Sequence, residues 1–225
     1  MGYHIDTGLI KDKFKENCFC PLCEIKKIVE EQYLYEFLND AVMEDSTRAR
    51  VNKLGFCKEH FDMLFNRQNK LGLALQTATR LDNIMEIFNA PKTYSGAKKL
   101  AKSINAKSKT CIICDYVEES MVKYYKTIAQ MFSKEKIFRG EFLKSKGFCL
   151  EHYSKLLQYS KEATFFTKDY IEALCSLQKK AIEEKKENLK FFCDKHDYRN
   201  RTKPLGSAES ALPDMREALY GKKNN

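Results

Sequence analysis

The sequence predicts an all-α protein, and three observations carry that reading. Glycine and proline number only 9 and 4 in 225 residues, too few for the turn clusters of an all-β chain. Tryptophan is absent, and long Lys/Glu/Leu-rich runs separate the few breakers. Within those runs apolar residues recur at the three- and four-residue spacing of a helix face. Apolar residues make up 43% of the chain, enough for a real core in one ordinary domain or two small ones. Forty Lys and Arg against 31 Asp and Glu give a formal charge of +9. Both signs are plentiful, so basicity alone does not name a partner.

Residues 1–17 form an N-terminal segment without the apolar stretch of a secretory leader, and no later run approaches the ~18 apolar residues of a membrane span. The expectation is a cytoplasmic protein with no membrane partner. The Met1-Gly2 start does not make a myristoylation signal, because Asp6 stands where Ser or Thr is needed.

Nine cysteines in a chain without a leader read as ligands or reactive thiols rather than disulfides. Six of them fall into two copies of one pattern. Cys20-Pro21-Leu22-Cys23 is followed by Gly55-Phe56-Cys57-Lys58-Glu59-His60, and Cys111-Ile112-Ile113-Cys114 by Gly147-Phe148-Cys149-Leu150-Glu151-His152. Both CxxC cysteines repeat at an offset of 91 residues, and both GFCxEH ligands at 92. The intervening helix repeats less well: Tyr33 matches Tyr124, but Ile25, Ile28 and Val29 fall opposite Tyr116, Glu119 and Ser120. Recurrence of the same donors at the same spacing indicates a duplicated module.

A CxxC turn presents two thiolates to one ion, and Cys-x-x-His on a first helical turn presents two more donors. Closed within each copy, these make two Cys₃His shells, Cys20, Cys23, Cys57, His60 and Cys111, Cys114, Cys149, His152, the tetrahedral set Zn²⁺ favours. Four protein ligands leave no open position, which favours structural over catalytic zinc. A histidine in the fourth place disfavours an iron–sulfur cluster. Redox-active or inert cysteines are the competing readings. Two zinc ions per chain, each with three thiolates, lower the formal charge to about +7.

The doubled CPxC and GFCxxH pattern, with the tail motif Tyr198-Arg199-Asn200, Pro204-Leu205-Gly206 and Ala211-Leu212-Pro213, resembles an uncharacterised bacterial family of unknown function. The resemblance runs from about Cys18 to Tyr220. It implies a small cytoplasmic bacterial protein of the same duplicated design and brings no activity with it. The second copy departs from the pattern only in carrying Ile112 where the first has Pro21.

The organisation expected is a first zinc–helical repeat over 18–91, a basic linker over 92–110, a second repeat over 111–192 and an Arg-containing tail over 193–225, the two repeats packed through long helices. From Glu24 to Leu54 there is no Pro or Gly, and Asp45-Ser46 marks a break that can cap a second helix. The second spacer shows a stripe of Val117, Met121, Tyr124, Ile128 and Phe132, with Ser133 as the next cap. A ~20-residue outgoing helix spans about 30 Å. The returning arm is shorter, so a kink or oblique crossing is required for each zinc to clamp the base of its own helix-turn-helix. Beyond the histidines, Leu71, Ala74, Leu75, Ala78, Leu81, Met85 and Phe88 form one apolar stripe, and Phe166, Tyr170, Ala173, Leu174, Leu177 and Ala181 its counterpart, both read as core.

Between the copies, Lys92, Lys98, Lys99, Lys102, Lys107 and Lys109 stand without an acidic residue. The patch is either a solvated helix or linker, or a contact for phosphates or an acidic protein surface, with Lys98, Lys99 and Lys102 the contacts. Lys179 to Lys190 alternates with glutamates and reads as a solvated face. Cys193-Asp194-Lys195-His196 is a third CxxH, imaginable as a half-site with Cys18 or Cys175. In the tail, Tyr198, Arg199, Asn200 and Arg201 are candidate partner contacts, the arginines suited to carboxylate or phosphate; packing back over the helices is the competing role. Pro213, Asp214 and Gly221 suit the start and stop of a short final helix. No nucleophile–base pair or phosphate loop stands out. The leading functional reading is a non-enzymatic, zinc-stabilised binding or adaptor protein for an acidic partner. Thiol redox or metal-relay chemistry and nucleic-acid binding are the alternatives, with an enzyme whose site is assembled from helix faces and the Arg-rich tail as a third.

Overall fold

The computed structural model describes residues 5, 7–39, 44–88, 90–195 and 204–222. The described residues contain α-helices, short 3-10 turns and no strand. None of the helices is long and apolar enough to cross a membrane. The chain forms two compact units that cut across the sequence segments. One comprises Met1–Lys27 with Met121–Asn225, the other Ile28–Ser120. The boundaries fall inside two helices, α2 (Pro21–Asn39) and α7 (Ile112–Lys134).

The larger unit is built on an aromatic core. Phe14 on α1 (Gly8–Lys15) meets Phe138 on α8 (Lys136–Lys144) edge-on at 5.1 Å. Phe142 of α8 packs against Phe132 of α7 at 5.3 Å and Tyr170 of α10 (Thr167–Asp194) at 5.5 Å. The stripe read from Phe166 to Ala181 faces inward as expected, with Tyr170, Leu174 and Ala181 buried. So does the part of the α7 stripe that lies in this unit, at Met121, Ile128 and Phe132. Ser133 does not cap the next helix. It lies inside α7, and its carbonyl and that of Phe132 accept the Arg139 guanidinium at 2.9 and 2.8 Å, closing the α7 C-terminus. After α9 (Leu150–Gln158), a 3-10 turn and α10, the tail helix α11 (Ala211–Tyr220) packs back on α9 and α10, burying Ala211 and Ala218.

The smaller unit contains the ends of α2 and α7 with α3 (Asp45–Leu54), α4 (Lys58–Phe65), α5 (Lys70–Met85) and α6 (Tyr94–Lys107). Glu44, not Asp45 or Ser46, precedes α3, leaving Asp45 in the first turn, where its charge suits the helix dipole. Tyr33 of α2 stacks on Tyr116 of α7 with centroids 3.6 Å apart. The basic stretch forms the helix α6 over Tyr94–Lys107.

The α5 stripe read as core points the other way. Leu71, Leu75, Leu81, Met85 and Phe88 are each more than half exposed, while Leu73, Gln76 and Arg80 are buried. Hydrogen-bond demand explains the rotation. Arg80 donates to the carbonyls of Asn52 at 2.7 Å, Lys53 at 2.8 Å and Lys107 at 2.9 Å, so one guanidinium closes the ends of both α3 and α6. Asn69 caps α5 through Gly72 N–H at 2.8 Å and donates to the Leu38 carbonyl at 2.7 Å. Leaving those carbonyls buried and unpaired would cost more than exposing part of an apolar stripe.

Replacing Arg80 by Met keeps the volume and strips three carbonyls of their donor. Urea denaturation followed by helical signal should show the smaller unit losing about 3 kcal/mol, two to three lost charge-assisted bonds offset by partial rehydration.

Candidate metal centres

Each motif half is prepared by a helix N-terminus. Cys20 directly precedes α2 and Cys23 lies in its first turn, with Pro21 at the first helical position, where no amide hydrogen is missed. Cys111 and Cys114 stand in the same way at the start of α7. Cys57 and Cys149 precede α4 and α9 in extended backbone, and His60 and His152 sit in the first turns. A thiolate at these positions gains from the positive end of the helix dipole.

The halves combine across the copies. One group is Cys20, Cys23, Cys149 and His152, all buried; the other is Cys57, His60, Cys111 and Cys114, with Cys57 partly and Cys114 well exposed. The shells closed within each copy are therefore corrected: the CxxC of one copy meets the Cys-His pair of the other. Helix length is the reason. With 19 residues, α2 carries the chain about 28 Å from Cys20, and the ten residues of α3 return only about 15 Å. The 23-residue α7 and nine-residue α8 repeat the shortfall. The kink that closure within a copy demanded is unnecessary, because the return arm ends where the other CxxC lies.

The donor distances fit one small cation in each group. In the first, Cys149 Sγ lies 4.0 Å from Cys20 Sγ and 3.7 Å from Cys23 Sγ, and the three sulfurs lie 3.4, 3.5 and 3.2 Å (Cys20, Cys23, Cys149) from His152 Nδ1. In the second, Cys57 and Cys114 Sγ are 3.9 Å apart, and Cys57, Cys111 and Cys114 lie 3.1, 3.4 and 3.3 Å from His60 Nδ1. A tetrahedron with metal–sulfur and metal–nitrogen bonds of ordinary zinc length has edges of about 3.8 Å between sulfurs and about 3.6 Å from sulfur to nitrogen. Both groups are suited to hold a metal ion.

Electrostatics points the same way. Hydrogen bonds from Cys20 and Cys23 hold Cys149 far below an ordinary thiol, while burial raises Cys20, and the bond with Cys149 pushes Cys23 up to about 12. In the second group the bond with Cys114 holds Cys111 down at about 3, and the same bond pushes Cys114 far up. Burial opposes charge on His60, but bonds with Cys111 and Glu30 carry it up to about 10. A divalent cation would offset the repulsion among the thiolates and favour the charged form of the raised thiols Cys20, Cys23 and Cys114.

Residues outside the motifs set the donors. In the larger unit Gln178 accepts from Phe148 N–H at 3.0 Å and donates to Phe148 O at 2.8 Å, pinning the residue before Cys149. Gly147 adopts φ +124°, and a Cβ there would meet Ala181 at 2.8 Å and Phe19 at 2.9 Å. Its counterpart Gly55, at φ +64°, leaves room for Arg80, whose Nε would lie 2.8 Å from a Cβ. Gly55 O also accepts from Ile112 N–H at 3.0 Å, tying the two halves of the second group together. Pro21 has no N–H to donate, so the one departure between the copies removes that tie from the first group. There the tail supplies cover instead: Lys222 N–H bonds to Cys23, and Gly221 lies against the Cys23 and Cys149 sulfurs.

The imidazoles differ in their outer partners. His60 Nε2 pairs with buried Glu30 at 2.9 Å. His152 Nε2 is buried without a hydrogen-bond partner among the described residues. The 91-residue offset puts Met121 where the first copy has Glu30, and a thioether is a weak acceptor. Glu30, Gln178 and Arg80 carry no motif that sequence reading could have singled out; each is one polar residue on a helix.

Of the other candidates, Lys98, Lys99 and Lys102 lie exposed on α6. His196, Tyr198, Arg199, Asn200 and Arg201 lie outside the described residues. Among those described, Cys18, Cys175 and Cys193 join neither group. Cys175 accepts from the Tyr153 hydroxyl at 3.3 Å, Cys18 donates to Lys13 O at 3.8 Å, and Cys193 is exposed.

Residues 1–225 match the family described as "Family of unknown function (DUF6062)". Among curated proteins the chain is 24% identical over 191 residues to an "Uncharacterized 23.9 kDa protein in xynA 3'region" of Caldicellulosiruptor sp. (strain Rt8B.4), covering 84% of this chain and 87% of that one. No solved structure matches.

The crossed grouping is testable without any metal. After chelation and mild oxidation with diamide, peptide mapping should recover disulfides joining Cys149 to Cys20 or Cys23, and Cys57 to Cys114, besides those within each CxxC. A dominant Cys23–Cys57 link would contradict the grouping.

Proposed function

The chain belongs to the family of unknown function DUF6062, and from that premise we propose a zinc-stabilised helical binding protein in which two structural Cys₃His centres hold the fold and a basic helix meets an acidic partner. The observation that carries the metal reading is the convergence of three sulfurs and one imidazole nitrogen within 4.8 Å, twice. Zinc is the ion this donor set selects: thiolate and imidazole suit it, and it imposes no geometry beyond the tetrahedron they form. Four protein donors complete the shell and leave no position for water or substrate, so each ion acts as a crosslink. The first would join segments 126 to 132 residues apart, the second segments 51 to 57 apart. Such links make metal binding part of folding.

Support for an acidic partner is the absence of acidic residues from Asn89 to Thr110, with Lys98, Lys99 and Lys102 exposed and in no ion pair among the described residues. A second reading, metal relay or thiol redox sensing, draws on the exposure of Cys114 and Cys57 in the second group. It applies to that centre and not to the buried one.

Native mass spectrometry of protein purified without added metal should find two zinc ions per chain, both lost on acid denaturation. Metal-free protein with paired cysteines would overturn the structural reading in favour of redox chemistry. The thiols must lose protons to bind, so occupancy should fall with falling pH and recover as it rises. Glu30→Gln should weaken zinc at the second centre by about 10- to 100-fold, measured by chelator competition, and leave the first unchanged, since the carboxylate orients His60 alone.

A further inference from the structure

Helix α6 is folded yet buries none of its fourteen residues. It is nonetheless two-sided. At about 100° per residue, Tyr94, Ala97, Leu100, Ala101 and Ile104 fall within an arc of about 120°, and Lys98, Lys99 and Lys102 within about 100° on the other side. Tyr94 is 83% exposed and Ile104 37%. The C-terminal end alone is anchored, by Arg80 to the Lys107 carbonyl and by Lys107 Nζ to Asn83 Oδ1 at 2.6 Å. Thr93 caps the other end through Gly96 N–H at 3.1 Å. The helix is thus capped by its own Thr93, with Leu100 partly covered and Tyr94, Ala97, Ala101 and Ile104 of the apolar arc exposed.

We propose that α6 docks the protein on an anionic lipid surface, its lysines among the headgroups and Tyr94, Leu100 and Ile104 at the acyl boundary. The proposal rests on the acidic-partner reading and names the partner. Charge complementarity selects an anion, since the helix and its flanks carry only positive charge. The apolar arc selects which one. A nucleic acid would use the lysines and leave that arc in water, and α6 has no arginine and a single aromatic with which to reach or stack on bases. A bilayer interface satisfies both faces of a basic amphipathic helix lying in its plane. This is surface docking and not spanning, since no helix among the described residues is long and apolar enough to cross a membrane, and it departs from the expectation of no membrane partner. Exposed Leu71, Leu75 and Met85 of α5 give the same unit further apolar surface.

The test is co-sedimentation of the full-length protein with phosphatidylcholine vesicles, with and without phosphatidylserine. Binding is expected only to the serine-lipid vesicles. K98Q/K99Q/K102Q should lower partitioning roughly a hundredfold, each lysine near the surface being worth about fivefold. L100Q/I104Q should lower it severalfold while leaving the charge intact. Lys98, Lys99, Lys102 and Ile104 are exposed and Leu100 is partly covered, and glutamine is a good helix former, so the helical signal of both variants, recorded beside binding, should match the wild type. Loss in the lysine variant with none in the apolar variant would overturn the lipid assignment in favour of a plain polyanion site. Binding of the wild type to an oligonucleotide or polyglutamate but to no vesicle would overturn the lipid proposal alone. Binding to none of these would overturn the acidic-partner reading with it. Metal content of the same samples reports separately on the zinc reading.

Discussion

Three thiols held against one imidazole nitrogen are an electrostatic problem before they are a structure. In each group the sulfurs lie within 4.8 Å of one another, too close for more than one to ionise cheaply, and the opposed shifts of Cys149 against Cys20 and Cys23, and of Cys111 against Cys114, express that conflict. A divalent cation would resolve it and tie four points of the chain together. The surrounding features serve this arrangement: Gln178 pins the loop before Cys149, Gly147 and Gly55 allow close approach, and Arg80 closes two helices beside the second group. The long helices then follow from where the donors must be. Each starts at a CxxC and runs too far for its own return arm to come back.

The two centres are chemically alike and differently protected. The first is buried, and the tail residues Gly221 and Lys222 lie against its sulfurs. The second is partly open at Cys57 and Cys114 but has what the first lacks among the described residues, a carboxylate behind its histidine and a backbone tie from Ile112 to Gly55. One relies on exclusion of water and the other on outer hydrogen bonds. The unit that carries the more accessible centre also carries the basic helix α6, and the larger unit holds the aromatic core.

All eight donors were legible in the sequence because cysteine and histidine spacing is conspicuous against a helical background, and the all-α class followed from sparse breakers and periodic stripes. The partnership of the donors was not legible. Spacing says which residues share a turn, but which turns meet is decided by helix length and packing, and the mismatch of α2 with α3 was visible only as an unexplained kink. The α5 stripe shows a second limit. Leu71, Leu75, Leu81 and Met85 have the right period for a core, yet the helix is rotated by Asn69 and Arg80, whose carbonyl partners at Leu38, Asn52, Lys53 and Lys107 lie far off in sequence. Periodicity ranks faces by apolar content and cannot see an unpaired carbonyl on another element. In the basic segment, read as a solvated helix or linker, Thr93 and the small residues after it make a capped helix.

The central claim is that each ion bridges the two copies, and the most direct measurement is proton–cadmium correlation spectroscopy on protein loaded with cadmium-113 in place of zinc, with the cysteine protons assigned. Coupling reports through bonds which sulfurs share an ion. The account predicts two cadmium resonances, one correlated with Cys20, Cys23 and Cys149 and the other with Cys57, Cys111 and Cys114. A resonance that correlates Cys20 and Cys23 with Cys57 would contradict it.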